Sequence, residues 1–226
     1  MTQPDNPLWL PSTLQPAESR DLVEQSRLTS YWWAWCVIHR EDRPMLVYDM
    51  GCGAGYGCKI MSNKHPTCEI HGVDSIIQAV EYARANYAVA GRLQFHRINI
   101  ELPWLRLLCR NDPDLITCFE TLEHLASRDM FLEDVVAALA PDGWFLVSVS
   151  AVEETHFDAV TLQTRLTVAD AKRMLQRYFT HVFTIDDDDF PSKDYYKGIR
   201  QLPLSGLGDN VIACLSPIKA TNKRTT

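Results

Sequence analysis

The chain has 226 residues, 46% of them hydrophobic and 23% charged, with a formal net charge of −7. That size and composition suit one α/β domain with a substantial core, and the acidic balance argues against a large electrostatic footprint on nucleic acid. The longest obvious apolar run, Tyr31 to Ile38, is far too short to span a bilayer.

In chain order, a polar lead with Pro4, Pro7, Pro11 and Pro16 precedes a helical stretch from about Ala17 to Arg40. The pattern then predicts strand 46–50, helix 55–64, strand 68–73, helix 76–90, strand 93–98, strand 114–119, helix 127–139 and strand 144–150. Beyond these it predicts helix 167–178, strand 181–186, a loop with Pro191 and Pro203, strand 209–215, and a polar tail, 217–226, expected to be disordered. Strands alternating with helices imply a doubly wound, mainly parallel sheet.

The N-terminus lacks a basic segment followed by an apolar run and a small-residue cleavage site, so no secretory signal is expected. Seven cysteines (Cys36, Cys52, Cys58, Cys68, Cys109, Cys118, Cys214) are scattered and never spaced C-x-x-C. They read as small hydrophobes in a reduced, cytoplasmic protein. The acidic run Asp186–Asp189 reads as a solvated strand end rather than a divalent metal site, because like charges repel and face water.

Residues 46–57, LVYDMGCGAGYG, are the most informative stretch. Leu46, Val47, Tyr48 and Met50 have the bulky apolar character of a central strand. One acid, Asp49, lies inside it, and Gly51, Gly53, Gly55 and Gly57 follow at alternate positions. A strand running through such a turn into a helix is the nucleotide-site geometry of open α/β sheets. The glycines do not spell G-x-G-x-x-G, because Tyr56 and Cys58 stand where the third glycine would fall, and no G-x-x-x-x-G-K-[ST] loop occurs. Asp74 closes the next strand, placed to accept from both hydroxyls of an adenosine ribose.

VYDMGCGAGYG resembles the first motif of class I S-adenosylmethionine (SAM) dependent methyltransferases, an acid, one apolar residue, then G-x-G-x-G. The resemblance continues in order through GVDSIIQAVEYARANY (72–87), FHRINIE (95–101), DLITCFETLEHL (114–125) and LAPDGWFLVSVS (139–150). It implies a Rossmann-like, seven-stranded sheet with an antiparallel last strand and SAM as cofactor. It further implies one domain: an N-terminal helical lid at 1–42, a cofactor-binding core at 44–150 and an acceptor-side half at 151–216.

Under that resemblance, Asp49 organises the glycine turn and is a candidate acceptor for the ammonium of the methionine moiety. Gly51, Gly53 and Gly55 admit close backbone approach, beside the small Cys52 and Ala54. Asp74 grips the ribose, with Ser75 supporting the adenosine edge. Asn99 stands where the family often has Asp, its amide oxygen able to accept from the adenine amino group, and Ile100 packs on the ring. Phe119 and Glu120 line the methionine end.

Catalysis is expected in E-x-x-E-H after the fourth strand, where His124 is the candidate base and Glu120 or Glu123 its orienter. His156 is a second candidate. The expected activity is methyl transfer to an O or N of a small-molecule or sugar-like acceptor, without a metal, nucleic-acid partner or membrane span. Aromatic residues for an acceptor pocket are Tyr31, Trp32, Trp33 and Trp35 in the N-terminal helix and Phe190, Tyr195 and Tyr196 in the long loop. Two alternatives stand beside this reading. E-x-x-E-H resembles the metal-binding motif of small-RNA 3′-terminal ribose 2′-O-methyltransferases, with Glu120, Glu123, His124 and His156 as ligands. The other is a non-catalytic interaction protein on the same fold.

Overall fold

The computed structural model of the protein describes residues 30, 31, 33–35, 37, 38, 43–64, 66–102, 108, 112–149, 166–184 and 211–218. Its core is a seven-stranded sheet in the order β3-β2-β1-β4-β5-β7-β6. The strands are β1 (Leu46–Met50), β2 (Glu69–Asp74), β3 (Leu93–Arg97), β4 (Leu115–Phe119), β5 (Trp144–Ser148), β6 (Phe179–Thr184) and β7 (Val211–Pro217). Strands β1 to β5 pair in parallel, and β7 runs antiparallel to both β5 and β6, as the family resemblance implies.

The sheet is covered on both faces, which is why its central strands read as near-continuous apolar runs, interrupted by Asp49 in β1 and Thr117 in β4. Every residue of β4 and β5 is buried. Alternation along each strand divides the core in two. Val47, Leu115 and Leu146 face α1 (Tyr56–Lys64) and α2 (Ile77–Tyr87), together with Tyr31, Ala34, Val37 and Ile38 of the N-terminal helix. Tyr48, Ile116 and Phe145 face α3 (Arg128–Ala138) and α4 (Val168–Leu175). Buried Cys52, Cys58, Cys68, Cys118 and Cys214 are free thiols within these layers, as their scatter suggested.

The predicted elements differ from the observed ones mainly at the last two strands. The sheet edge starts at Phe179, not at residue 181, because that ring is buried and stacks on Phe145 with centroids 5.6 Å apart. The helix before it accordingly ends at Leu175, well short of 178. β7 extends to Pro217 because Pro217 lies opposite Phe179 in the ladder. Residues 185–186 and 209–210 lie outside the described residues, as do the acidic run, Trp32, Phe190, Tyr195, Tyr196 and most of the acceptor-side half. Among the described residues no helix is long and apolar enough to cross a membrane.

Candidate functional site

The carboxyl ends of β1, β2 and β4 lie side by side in the sheet, and the sequence-predicted residues gather there. Order reverses between β1 and β4, which is where open α/β sheets place their ligand crevice. Asp49 is fully buried on β1, opposite Thr117 in the ladder. A buried carboxylate requires donors, and Asp49 has three. Thr117 Oγ1 donates to Oδ1 at 2.7 Å, while Tyr31 Oη and Cys58 Sγ donate to Oδ2 at 3.0 and 3.2 Å. Burial pushes its pKa above the ordinary carboxylate range, and the three hydrogen bonds pull against that rise. The expectation that Asp49 meets an ammonium therefore needs correction: its oxygens point into the protein, behind the turn.

The turn is fastened to β2. Gly51 and Cys52 donate their N–H groups to Val73 O at 2.8 and 3.0 Å, and Gly53 N–H donates to Asp74 Oδ2 at 2.8 Å. Its glycines differ in what surrounds them. A Cβ on Gly51, at φ +81°, would stand 2.2 Å from Thr121 Oγ1, and one on Gly55 would strike Phe95 and Ala83. At both positions packing within the protein by itself calls for a glycine. Gly53, at φ +53°, has nothing within 4 Å of where a Cβ would lie, so this is the open point of the turn.

Asp74 is half-exposed beside it. Its Oδ1 accepts from Ile76 N–H at 2.9 Å, so two of about four acceptor positions on the carboxylate are used and the others remain for a ligand. Ser75 and Ile76 are exposed next to it, Ile76 with 42% of its surface in solvent. Asn99 is exposed after β3, and its Oδ1 accepts from Glu101 N–H at 3.0 Å. Ile100 is half-buried against the second core layer. Glu101 was not foreseen: its Oε1 accepts from Ala126 and Ser127 N–H at 2.5 and 3.1 Å. It ties the loop after β3 to the start of α3, whose N-cap, Ser127, makes no side-chain cap of its own.

At the end of β4, Phe119 is buried and meets Tyr31 edge to face, centroids 5.0 Å apart. Glu120 follows at φ +47°, the one left-handed non-glycine among the described residues. Such a conformation costs on the order of 1–3 kcal/mol and clusters at functional sites. Here Ser148 holds it, its O and Oγ each accepting from Glu120 N–H at 3.1 Å. Glu123 and His124 lie on a 3-10 turn, Leu122–His124, which Arg128 clasps by donating to the Leu122 and Glu123 carbonyls at 3.0 and 2.7 Å. Glu123 is half-buried, and its charge adds to burial in raising the Cys118 thiol. His124 is exposed.

Among the described residues no three His, Cys, Asp or Glu side chains form a group that could hold a metal ion. Glu120, Glu123 and His124 are thus not a ligand set by themselves. His156 lies outside the described residues. Beyond Glu101, the residues that the sequence reading missed are Thr117, Cys58 and Thr121. Thr117 and Thr121 lie within DLITCFETLEHL and Cys58 just after the glycine turn, but nothing in the motifs marks them out; ladder register and the first turn of α1 bring Thr117 and Cys58 to Asp49, and Thr121 fills the space of the missing Gly51 side chain.

This sheet order, with a glycine turn after β1 and an acid closing β2, defines the Rossmann-like methyltransferase class. Residues 48–145 match the family model described as a methyltransferase domain, and the relatives and solved structures to which the chain is similar are methyltransferases. Trans-aconitate 2-methyltransferase of Pseudomonas aeruginosa is 30% identical over 105 residues, 44% of this chain and 34% of that protein. Ubiquinone biosynthesis O-methyltransferase of Paracidovorax citrulli is 25% identical over 162 residues, 61% of this chain and 63% of that one. The chain therefore spans less than two thirds of either relative. In fold it is similar to the plantazolicin methyltransferase BamL, with TM-score 0.62 and 15% identity, covering 84% of this chain and 82% of that one.

Proposed function

We propose that the protein binds SAM across the ends of β1, β2 and β4 and moves its methyl group to an oxygen or nitrogen of a small-molecule or sugar-like acceptor. The observation that carries this reading is the pairing of an open Gly53 with a half-exposed Asp74 whose carboxylate keeps acceptor capacity. Those residues fit an adenosine: Asp74 would take the ribose hydroxyls, Asn99 the adenine amino group, and Ile100 with Ile76 the faces of the ring. Gly53 and Cys52 would lie along the methionine portion, with Phe119 and Glu120 at its far end. Asp49 would act from behind, holding β1 and the turn in register.

When bound, SAM supplies a methyl group made electrophilic by its sulfonium. What remains for the protein is to bring the acceptor in line, and positioning accounts for most of the rate in such a displacement. His124, exposed on the turn after β4, is the base we assign to take the acceptor hydroxyl proton. An oxygen acceptor is favoured because the two curated relatives carry the names of an O-methyltransferase and a trans-aconitate methyltransferase. The test is calorimetry with SAM, followed by a methyl-transfer screen of carboxylic, phenolic and sugar hydroxyl acceptors. No SAM binding would overturn the reading; transfer confined to carbon acceptors would overturn the O or N assignment.

A further inference from the structure

Tyr31 belongs to the N-terminal helix, outside all of the motifs that suggested the fold, and yet it is only 5% exposed. Its hydroxyl donates to Asp49 Oδ2 at 3.0 Å. Its ring meets Phe119 and Tyr56 edge to face, with centroids 5.0 and 5.5 Å away. It also fills the space above Gly57, where a Cβ would come within 2.0 Å of the ring. One side chain thus touches the acid of β1, the end of β4 and the start of α1, the three elements around the glycine turn.

We infer that Tyr31 is a positioning residue for the cofactor, coupling the docking of the N-terminal helix to the shape of the SAM turn. The inference rests on the SAM reading above and deepens it, since it gives the N-terminal helix a part in cofactor binding rather than in acceptor recognition. Burial pushes Asp49 toward its neutral form, and its hydrogen bonds pull it toward the charged one. The titratable groups facing it are Tyr31 from the N-terminal helix, Cys52 from the turn, Cys58 from α1, Cys118 from β4 and Asp74 from β2, and none is basic. Thr117 and Cys58 come from the sheet and α1, so Tyr31 is the donor that depends on docking. With that donor in place the carboxylate keeps its charge to lower pH, and a buried anion behind the turn favours a cationic ligand in front of it. Linkage makes the effect reciprocal: SAM stabilises the docked helix as much as the docked helix stabilises SAM.

The experiment is calorimetric titration of SAM into wild type, Tyr31→Phe and Gly57→Ala across about pH 5 to 9. Tyr31→Phe removes one donor to a charged group, and the expected loss of SAM affinity is roughly 5–30-fold. It also leaves Asp49 easier to protonate, so the acid fall-off in affinity should move to higher pH, a change that loosened packing alone would not cause. Gly57→Ala keeps the hydroxyl but displaces the ring, and the same two changes are expected from it should Tyr31→Phe fold poorly. Wild-type affinity and an unmoved pH profile in the variants would overturn the inference while leaving the cofactor reading intact. A wild-type protein that binds no SAM would overturn both.

Discussion

Asp74 Oδ2 accepts the Gly53 N–H at 2.8 Å, so the acid that closes β2 also sets the backbone of the turn that leaves β1. Replacing it removes a ribose acceptor and an anchor of the turn together. We expect Asp74→Ala to weaken SAM by roughly 1.5–3 kcal/mol through loss of charge-assisted hydrogen bonds. NAD and ATP should bind far more weakly than SAM, since the turn lacks a pyrophosphate cradle. Calorimetry with the three ligands decides both; unchanged SAM affinity in the variant would remove the ribose assignment.

Gly51 and Gly53 should separate stability from binding. Gly51→Ala drives a methyl group into Thr121 at a left-handed position, and a loss of about 1–3 kcal/mol in folding stability is expected. Gly53→Ala meets open space, so the fold should lose only about 1–2 kcal/mol from its positive φ. Its methyl group points where the ligand would lie, and SAM affinity should fall at least about tenfold. Thermal melts and titrations on both variants check this; equal effects on both quantities would contradict the division of roles.

If His124 is the base, His124→Ala should slow transfer to a hydroxyl acceptor by about 10²–10⁴-fold with little change in SAM affinity. Chelation by EDTA should leave turnover intact. Activity lost to EDTA and restored by Mn²⁺ would instead favour the metal-assisted alternative.

Glu101 accepts from the two N–H groups that lead into α3, whose own N-cap makes no side-chain hydrogen bond. Glu101→Ala leaves the Ala126 and Ser127 N–H groups without their acceptor and should cost about 1–2 kcal/mol. Glu101→Gln keeps a carbonyl acceptor and should recover much of that, though without the charge that favours a helix N-terminus. Melts of the pair test this contact, and identical losses would argue against it.

His71 and His96 give a pH-dependent stability outside the cofactor site. His71 Nδ1 lies 2.8 Å from His96 Nε2, and its ring stacks on Tyr48. Burial, the facing His71 and nearby Arg84 lower the pKa of His96 to about 4. In the unfolded chain this group takes up a proton near about pH 6.5. Between those values the unfolded state binds more protons, so the His96 contribution to stability is present above about pH 6.5 and is lost as pH falls toward about 4. His96→Gln should flatten that acid limb in melts run as a function of pH; an unchanged limb would rule out His96 as its origin.

Local chemistry carried the parts of this molecule that were legible in the chain. β1 and β4 were visible because strands buried on both faces are apolar at most positions, and the turn was visible because glycine readily adopts its backbone. Asp74 was placed at a strand end by the same local pattern. Long-range contact decided the rest. Asp49 looked like a ligand from its place in the motif, but its three donors come from Tyr31, Cys58 and Thr117, as many as 68 residues away. Gly51 and Gly55 looked like ligand-facing positions, and their neighbours are Thr121 and Phe95, which no spacing rule brings near. Glu101 reaches α3 across 25 and 26 residues. Backbone preference acts between neighbours in sequence, whereas the saturation of a buried carboxylate, the filling of a notch and the tying of a loop to the start of a helix depend on which segments the sheet brings side by side.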